Sequence, residues 1–168
     1  MRSTDLLLDA FDRIGQLGPS VVKGLTADQL AVRLQGSANS VAWLVWHLAR
    51  VQDDHVADVA GTEQVWTAKG WADRFGLPFD PADTGYGHSP EEVASVRAEG
   101  DLLTGYLGDV VAATRAYVSG LTDADLDRVV DKRWDPPVTL GVRLVSVVGD
   151  DLQHLGQAAL LRGLITAE

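Results

Sequence analysis

The chain has 168 residues, 46% of them apolar, which is enough to bury one sizeable core, so residues 1–168 read as a single folded domain rather than a disordered segment. Its net charge of −10 weighs against a nucleic-acid partner and against an anionic membrane surface, because both require concentrated Lys and Arg. The absence of cysteine excludes disulfides, thiolate metal ligands and a cysteine nucleophile.

The opening stretch "MRSTDLLLDAFDRIGQLG" lacks the unbroken apolar core and small-residue cleavage site of a secretory signal. Nor does any apolar run approach the ~20 residues that span a bilayer, so a cytoplasmic protein is expected. The stretch reads as an amphipathic helix from about Ser3 towards Gly24, with Leu7, Ala10, Ile14 and Leu17 on one face. Pro19 is expected to kink or interrupt it. A second helix is predicted from about Ser40 to Val59, with Val41, Leu44, Leu48 and Val51 as its apolar face.

A connector of about thirty residues follows, "GTEQVWTAKGWADRFGLPFDPADTGYGHS", longer than structureless loops usually run. It carries Trp66, Trp71, Phe75, Phe79 and Tyr86, too many aromatics for a solvated linker, and is expected to pack across an end of the molecule as a cap or lid. A third helix starts at "HSPEEV": Ser89 suits the N-cap, Pro90 the first helical position, and Glu91 and Glu92 the positive end of the dipole. Its apolar stripe runs through Val96, Gly100, Leu103, Leu107, Val110, Thr114 and Tyr117. The fourth helix is predicted from about Thr139 to Arg162, after Pro136 and Pro137, with Gly163 as its end. The architecture expected is all-α: a four-helix bundle with one long crossover connection between helices two and three.

Two short elements look alike. "GLTADQL" (24–30) precedes helix two and "GLTDADL" (120–126) precedes helix four, each with Thr followed three residues later by Gln or Asp as a helix start. The long helix after each carries an acid-and-His cluster, "QDDH" (52–55) or "DDLQH" (150–154), which suggests a loose pseudo-repeat of helix pairs.

The last helix poses the chemical question. Asp150 and His154 stand four residues apart, one turn along the same face, and Val147, Gln157 and Leu161 extend that stripe. Polar groups on a core-facing stripe are costly without partners. On helix two, His47 lies by the apolar stripe, with Asp54 seven residues on and His55 further round. If helices two and four are neighbours, His47, Asp150 and His154 converge as two imidazoles and a carboxylate. Such a facial set suits Zn²⁺, Ni²⁺, Fe²⁺ or Mn²⁺ and leaves positions open for a bound water or thiol. Spacing alone also allows a plain hydrogen-bonded or ion pair inside the core. On the same reading Asp53 and Asp54 are a solvated face, His88 is a loop residue, and the connector aromatics are core.

The segments "SVAWLVWHLARVQDDHV" (40–56) and "DDLQHLGQAALLRGL" (150–164) resemble the DinB-like superfamily, which includes the metal-binding domain of mycothiol-dependent maleylpyruvate isomerase and the bacillithiol transferases. The connector "GWADRFGLPFDPADTGYGHS" is similar to one actinobacterial-type branch. The resemblance implies an up-down bundle with a divalent metal, Zn²⁺ or Ni²⁺ foremost, held by three side chains. Its ligand positions fall on His47, Asp150 and His154; many members have His, and the isomerase Glu, where this chain has Asp150. Helical spacing makes Gln157 and Asp54 candidates for orienting the imidazoles. The activity implied is a thiol-dependent S-transfer or isomerisation with mycothiol or a similar thiol as cosubstrate. Trp66, Trp71 or Tyr86 would then wall a small-molecule substrate. The alternative is a non-catalytic small-molecule-binding or stress-related bundle with a degenerate site. A homodimer is also expected, with Trp43 and Trp46 offering apolar surface on the flank of helix two.

Overall fold

The computed structural model describes residues 1–167, and they are mostly helical. Four long helices form the body: α1 (Ser3–Val22), α3 (Val41–Ala60), α7 (Gly100–Ser119) and α8 (Leu140–Thr166). α1 packs on α7 and α8, and α3 packs on the same two, so each long helix has two principal neighbours. The core between them is Phe11 and Ile14 from α1, Leu44 and Leu48 from α3, Leu103, Leu107 and Val110 from α7, and Leu140, Leu144 and Val147 from α8, all buried. These are the three- and four-residue spacings of an apolar helical face.

Two of the long helices, α3 and α8, start at side-chain caps. Ser40 Oγ accepts from the Trp43 backbone N–H at 3.1 Å, and Thr139 Oγ1 accepts from Val142 at 3.4 Å. The two look-alike elements become helix starts with reciprocal capping boxes: Thr26 with Gln29 opens α2 (Ala27–Leu30), and Thr122 with Asp125 opens a 3₁₀ turn at Asp123–Asp127.

Three boundaries differ from the sequence expectation. α1 runs through Pro19 to Val22, so the proline does not interrupt it. The third helix is not continuous from Ser89. A short α6 (Pro90–Ser95), capped by Ser89 and Glu92, ends at Val96, whose backbone is extended, and α7 begins only at Gly100. Across this break Val96 and Ala98 are buried while Arg97 and Glu99 are exposed, so period-two burial replaces helical period there. α8 passes Gly163 and ends at Thr166. Before it, an antiparallel pair of short strands, β1 (Val129–Asp131) and β2 (Val138–Thr139), adds a small hairpin that periodicity did not signal.

The connector is structured. It forms α4 (Val65–Ala68) and α5 (Trp71–Phe75), whose Trp66, Trp71 and Phe75 are buried against Tyr106 of α7. Gly105 permits this seat, because a Cβ there would lie 2.7 Å from Trp71 Cη2. Trp43 and Trp46 are buried as well, at 6% and 1% exposure, so they offer no outward apolar surface and the expected dimer face is not there.

Candidate metal centre

α3 and α8 are packed neighbours, and this brings His47 to Asp150 and His154. One ligand atom from each residue lies within 4.8 Å of the other two. The imidazoles of His47 and His154 meet edge-on, ring centres 4.9 Å apart, and His154 Nε2 stands 3.6 Å from Asp150 Oδ1. That gap exceeds a hydrogen bond. It is close to the roughly 3.3 Å that separates two donors sharing one tetrahedral ion at 2.0–2.1 Å.

Both imidazoles have an assigned tautomer. His47 Nδ1 is 2.5 Å from the Thr84 carbonyl, which can only accept, so Nδ1 carries the proton and Nε2 keeps a free lone pair. His154 Nδ1–H donates to Gln157 Oε1 at 3.0 Å, which again leaves Nε2 free. Burial holds the His47 pKa below the ordinary histidine value, against the opposing pull of the Thr84 carbonyl. His47 is therefore neutral at physiological pH, the form that ligates.

The carboxylate supplies an independent sign. Asp150 Oδ2 is buried and has no hydrogen-bond partner among the described residues. Such an atom is costly unless something positive meets it. Two imidazole nitrogens and one carboxylate oxygen are a donor set that fits Zn²⁺ or Ni²⁺ and leaves coordination positions open.

The remaining candidates fall in different places. Gln157 Oε1 lies 3.0 Å from His154 Nδ1, beside the ring to which its spacing pointed. Asp54 does not reach an imidazole; its Oδ1 accepts from Gln64 Nε2 at 2.8 Å. Trp66 and Trp71 form a separate aromatic cluster with Phe75 and Tyr106, and Tyr86 points outward at 92% exposure, so none of the three walls the triad. The connector does reach the site, but through Thr84 and Gly85. Trp43, which sequence reading placed on an outer flank, stacks flat on His47 at 4.4 Å and sets its edge to His154 at 6.3 Å. The signal that could have found the loop is the glycine pair of "TGYGH" (84–88), which marks a tight backbone approach. His55 is not one of the three converging donors; its Nδ1 accepts from Arg143 at 3.0 Å. Asp53 is not a solvated acid but is buried, accepting from the backbone N–H of Val65 and Trp66.

The family model described as Mycothiol-S-transferase matches residues 9–167. No curated protein matches the chain. A crystal structure described as the conserved protein of locus from Enterococcus faecalis is 33% identical, with a TM-score of 0.92 over 100% of this chain and 99% of that one.

Proposed function

Because the chain belongs to the mycothiol S-transferase family, within the DinB-like superfamily, we propose that it binds a divalent cation through His47, Asp150 and His154 and joins a mycothiol-type thiol to a small electrophile. The observation that carries this reading is the triad itself: two imidazoles with free Nε2 lone pairs face a carboxylate whose Oδ2 has no other partner. In the proposed fold, the four long helices are an up-down bundle crossed by the 61–89 connector. The bundle supplies one ligand from α3 and two from α8.

A divalent cation in such a site supplies Lewis-acid chemistry that lets a thiol lose its proton near neutral pH. The chain's own residues do the rest. Thr84 and Gln157 hold the two rings with Nε2 outward, and Trp43 covers one face of His47 and excludes water from it. The chain has no cysteine, so the sulfur nucleophile is external. In the reaction an S–C bond forms, the leaving group departs with its electron pair, and the thiol proton goes to solvent. A thiol-assisted isomerisation would use the same site with no leaving group.

The test is conjugation of a model aryl halide with a low-molecular-weight thiol by native protein, chelator-treated protein and the His154→Ala variant. Zn²⁺- or Ni²⁺-dependent turnover lost in the variant supports the proposal. Equal rates in all three overturn it. Metal uptake without turnover for any thiol would favour the non-catalytic binding bundle instead.

No helix among the described residues is long and apolar enough to cross a membrane. A cytoplasmic location is part of the proposal. So is pairing of two copies, on the outer face of α8. There Val142, Val145, Leu152, Leu160 and Leu164 are exposed, and none of the charged residues of α8 is. No exposed charged side chain of α8 stands on that face to oppose its copy at contact. Sedimentation of native protein against Leu152→Glu should show a dimer become a monomer; a native monomer overturns the pairing.

A further inference from the structure

We infer that the loop from Asp83 to His88 is a clasp that fixes the tautomer and ring plane of His47, with His88 as a positioning residue that acts through Trp43. The inference rests on the reading of His47 as a metal ligand and concerns residues that neither the family nor the triad assigns.

The clasp starts from a buried cation. Arg50, with 0% exposure, donates from Nε to the Asp83 carbonyl and from a terminal nitrogen to the Pro81 carbonyl, each at 3.1 Å. The connector backbone is thereby tied to α3 one turn beyond His47. The Asp83 side chain then closes the loop on itself. Its Oδ1 accepts the Gly85 backbone N–H at 2.8 Å, and its Oδ2 lies 3.1 Å from His88 Nε2. His88 Nδ1 accepts the indole N–H of Trp43 at 3.1 Å. With Nδ1 accepting and Nε2 facing a carboxylate, His88 has both ring nitrogens committed and is not a fourth donor to the triad.

The circuit returns to His47 from two sides. The Trp43 ring whose N–H is held by His88 lies flat on His47, 15° from parallel. Between Asp83 and His88, the Thr84 carbonyl takes the His47 Nδ1 proton. This approach needs Gly85. Its φ is +90°, and a Cβ there would stand 2.9 Å from both His47 Nδ1 and Trp46 Cζ3. The two contacts come from one six-residue loop and are coupled, because the ring plane that Trp43 holds is the one that keeps Nδ1 on the Thr84 carbonyl. The His154 tautomer is set elsewhere: Trp43 presents only its edge at 6.3 Å, and the Nδ1 partner, Gln157, is an exposed side chain one turn along its own helix. His154 therefore serves as the internal control.

The experiment compares native protein with His88→Ala, His88→Asn and Gly85→Ala by ring-¹⁵N NMR without metal and by Zn²⁺ affinity against a competing chelator, with far-UV circular dichroism checking the fold. The Asn Oδ1 keeps an acceptor where His88 Nδ1 stands. Native His47 should be a single Nδ1–H tautomer. In His88→Ala and Gly85→Ala it should become a tautomer mixture while His154 is unchanged, and Zn²⁺ affinity should fall about 10- to 100-fold. His88→Asn should recover most of both. If His88→Ala fails to fold, Trp43→Phe, which keeps the stacked ring and loses the donor, must give the same His47 change. An unaltered His47 tautomer with Zn²⁺ affinity within twofold of native overturns the clasp. A native chain that takes up no Zn²⁺ or Ni²⁺ overturns the metal reading alone, since the tautomer is read in metal-free protein.

Discussion

Two polar clusters share the same stretch of α3, and they resolve burial in opposite ways. Around Arg50 and Asp53 every charge is answered. Arg50 donates to two carbonyls, to Gln64 Oε1 at 2.8 Å and to the Tyr106 hydroxyl at 3.2 Å. Asp53 accepts from the Val65 and Trp66 backbone N–H groups and from the Tyr106 hydroxyl. Burial pushes the Tyr106 hydroxyl well above its ordinary pKa, so it stays protonated and can serve both charges. One turn towards the N-terminus, the His47, Asp150 and His154 cluster is left open, with Asp150 Oδ2 buried and without a hydrogen-bond partner among the described residues. The first cluster anchors the connector to the body and is complete without a ligand. The second has unspent donor capacity pointing at a common centre. Buried polar residues become a candidate for chemistry through what remains unpaired, not through burial itself.

The contrast breaks most visibly at the closed cluster. Removing one member leaves the other buried and uncompensated, so Arg50→Ala or Asp53→Ala should cost about 3–5 kcal/mol in urea unfolding. A loss below about 1 kcal/mol would mean that the cluster is not a buried unit. The open cluster should respond to metal instead. Zn²⁺ at a hundredfold excess over its Kd should stabilise native protein by about 2.7 kcal/mol and leave His154→Ala unmoved. Without metal, Asp150→Leu should be neutral or stabilising, because it removes an unpaired carboxylate oxygen.

Asp151 sharpens the comparison from a third side. It is fully buried on α8, neither oxygen has a hydrogen-bond partner among the described residues, and burial followed by the neighbouring Asp150 pushes its pKa well up. Unlike Asp150, it has no imidazole beside it to share a ligand. It should be a plain cost to the fold, and Asp151→Val should raise stability by about 1–3 kcal/mol in metal-free protein. A loss of similar size would assign it a partner.

The smallest expected effect is on pH. Burial first, then Arg143, lowers the His55 pKa, so the folded chain keeps it neutral where the unfolded chain protonates. Its contribution is therefore present above the unfolded value near 6.5 and is lost as pH falls from there through the folded value. His55→Gln should flatten the decline in unfolding free energy below about pH 6.5; an unchanged slope contradicts this.

Much of the frame could be read from the sequence, because the long helices obey one period over many turns and carry caps such as Ser40 and Thr139. The triad was also legible: helical spacing aligned Asp150 with His154, and only the packing of α3 on α8 was needed to add His47. The break at Val96 was missed because Val96 also fits the helical stripe, and only tertiary burial of Ala98 favours the extended form. The connector misled for a similar reason. Aromaticity correctly marked it as packed, but Trp66 and Trp71 serve the core while the site is reached by Thr84 and Gly85, whose contribution is backbone. A carbonyl has no residue signature, so only the glycines of the 84–88 stretch betrayed it. Trp43 and Trp46 read as surface because helical period marks only one face of α3 as apolar, whereas the connector covers the second face and buries both.

The most direct test of the central claim is the metal content of native protein and of the His154→Ala variant, both purified without chelator and then offered Zn²⁺ and Ni²⁺. The open triad predicts close to one ion per native chain and almost none in the variant. Native protein that stays metal-free with both ions would contradict it, and would make Asp150 an unpaired acid like its neighbour Asp151.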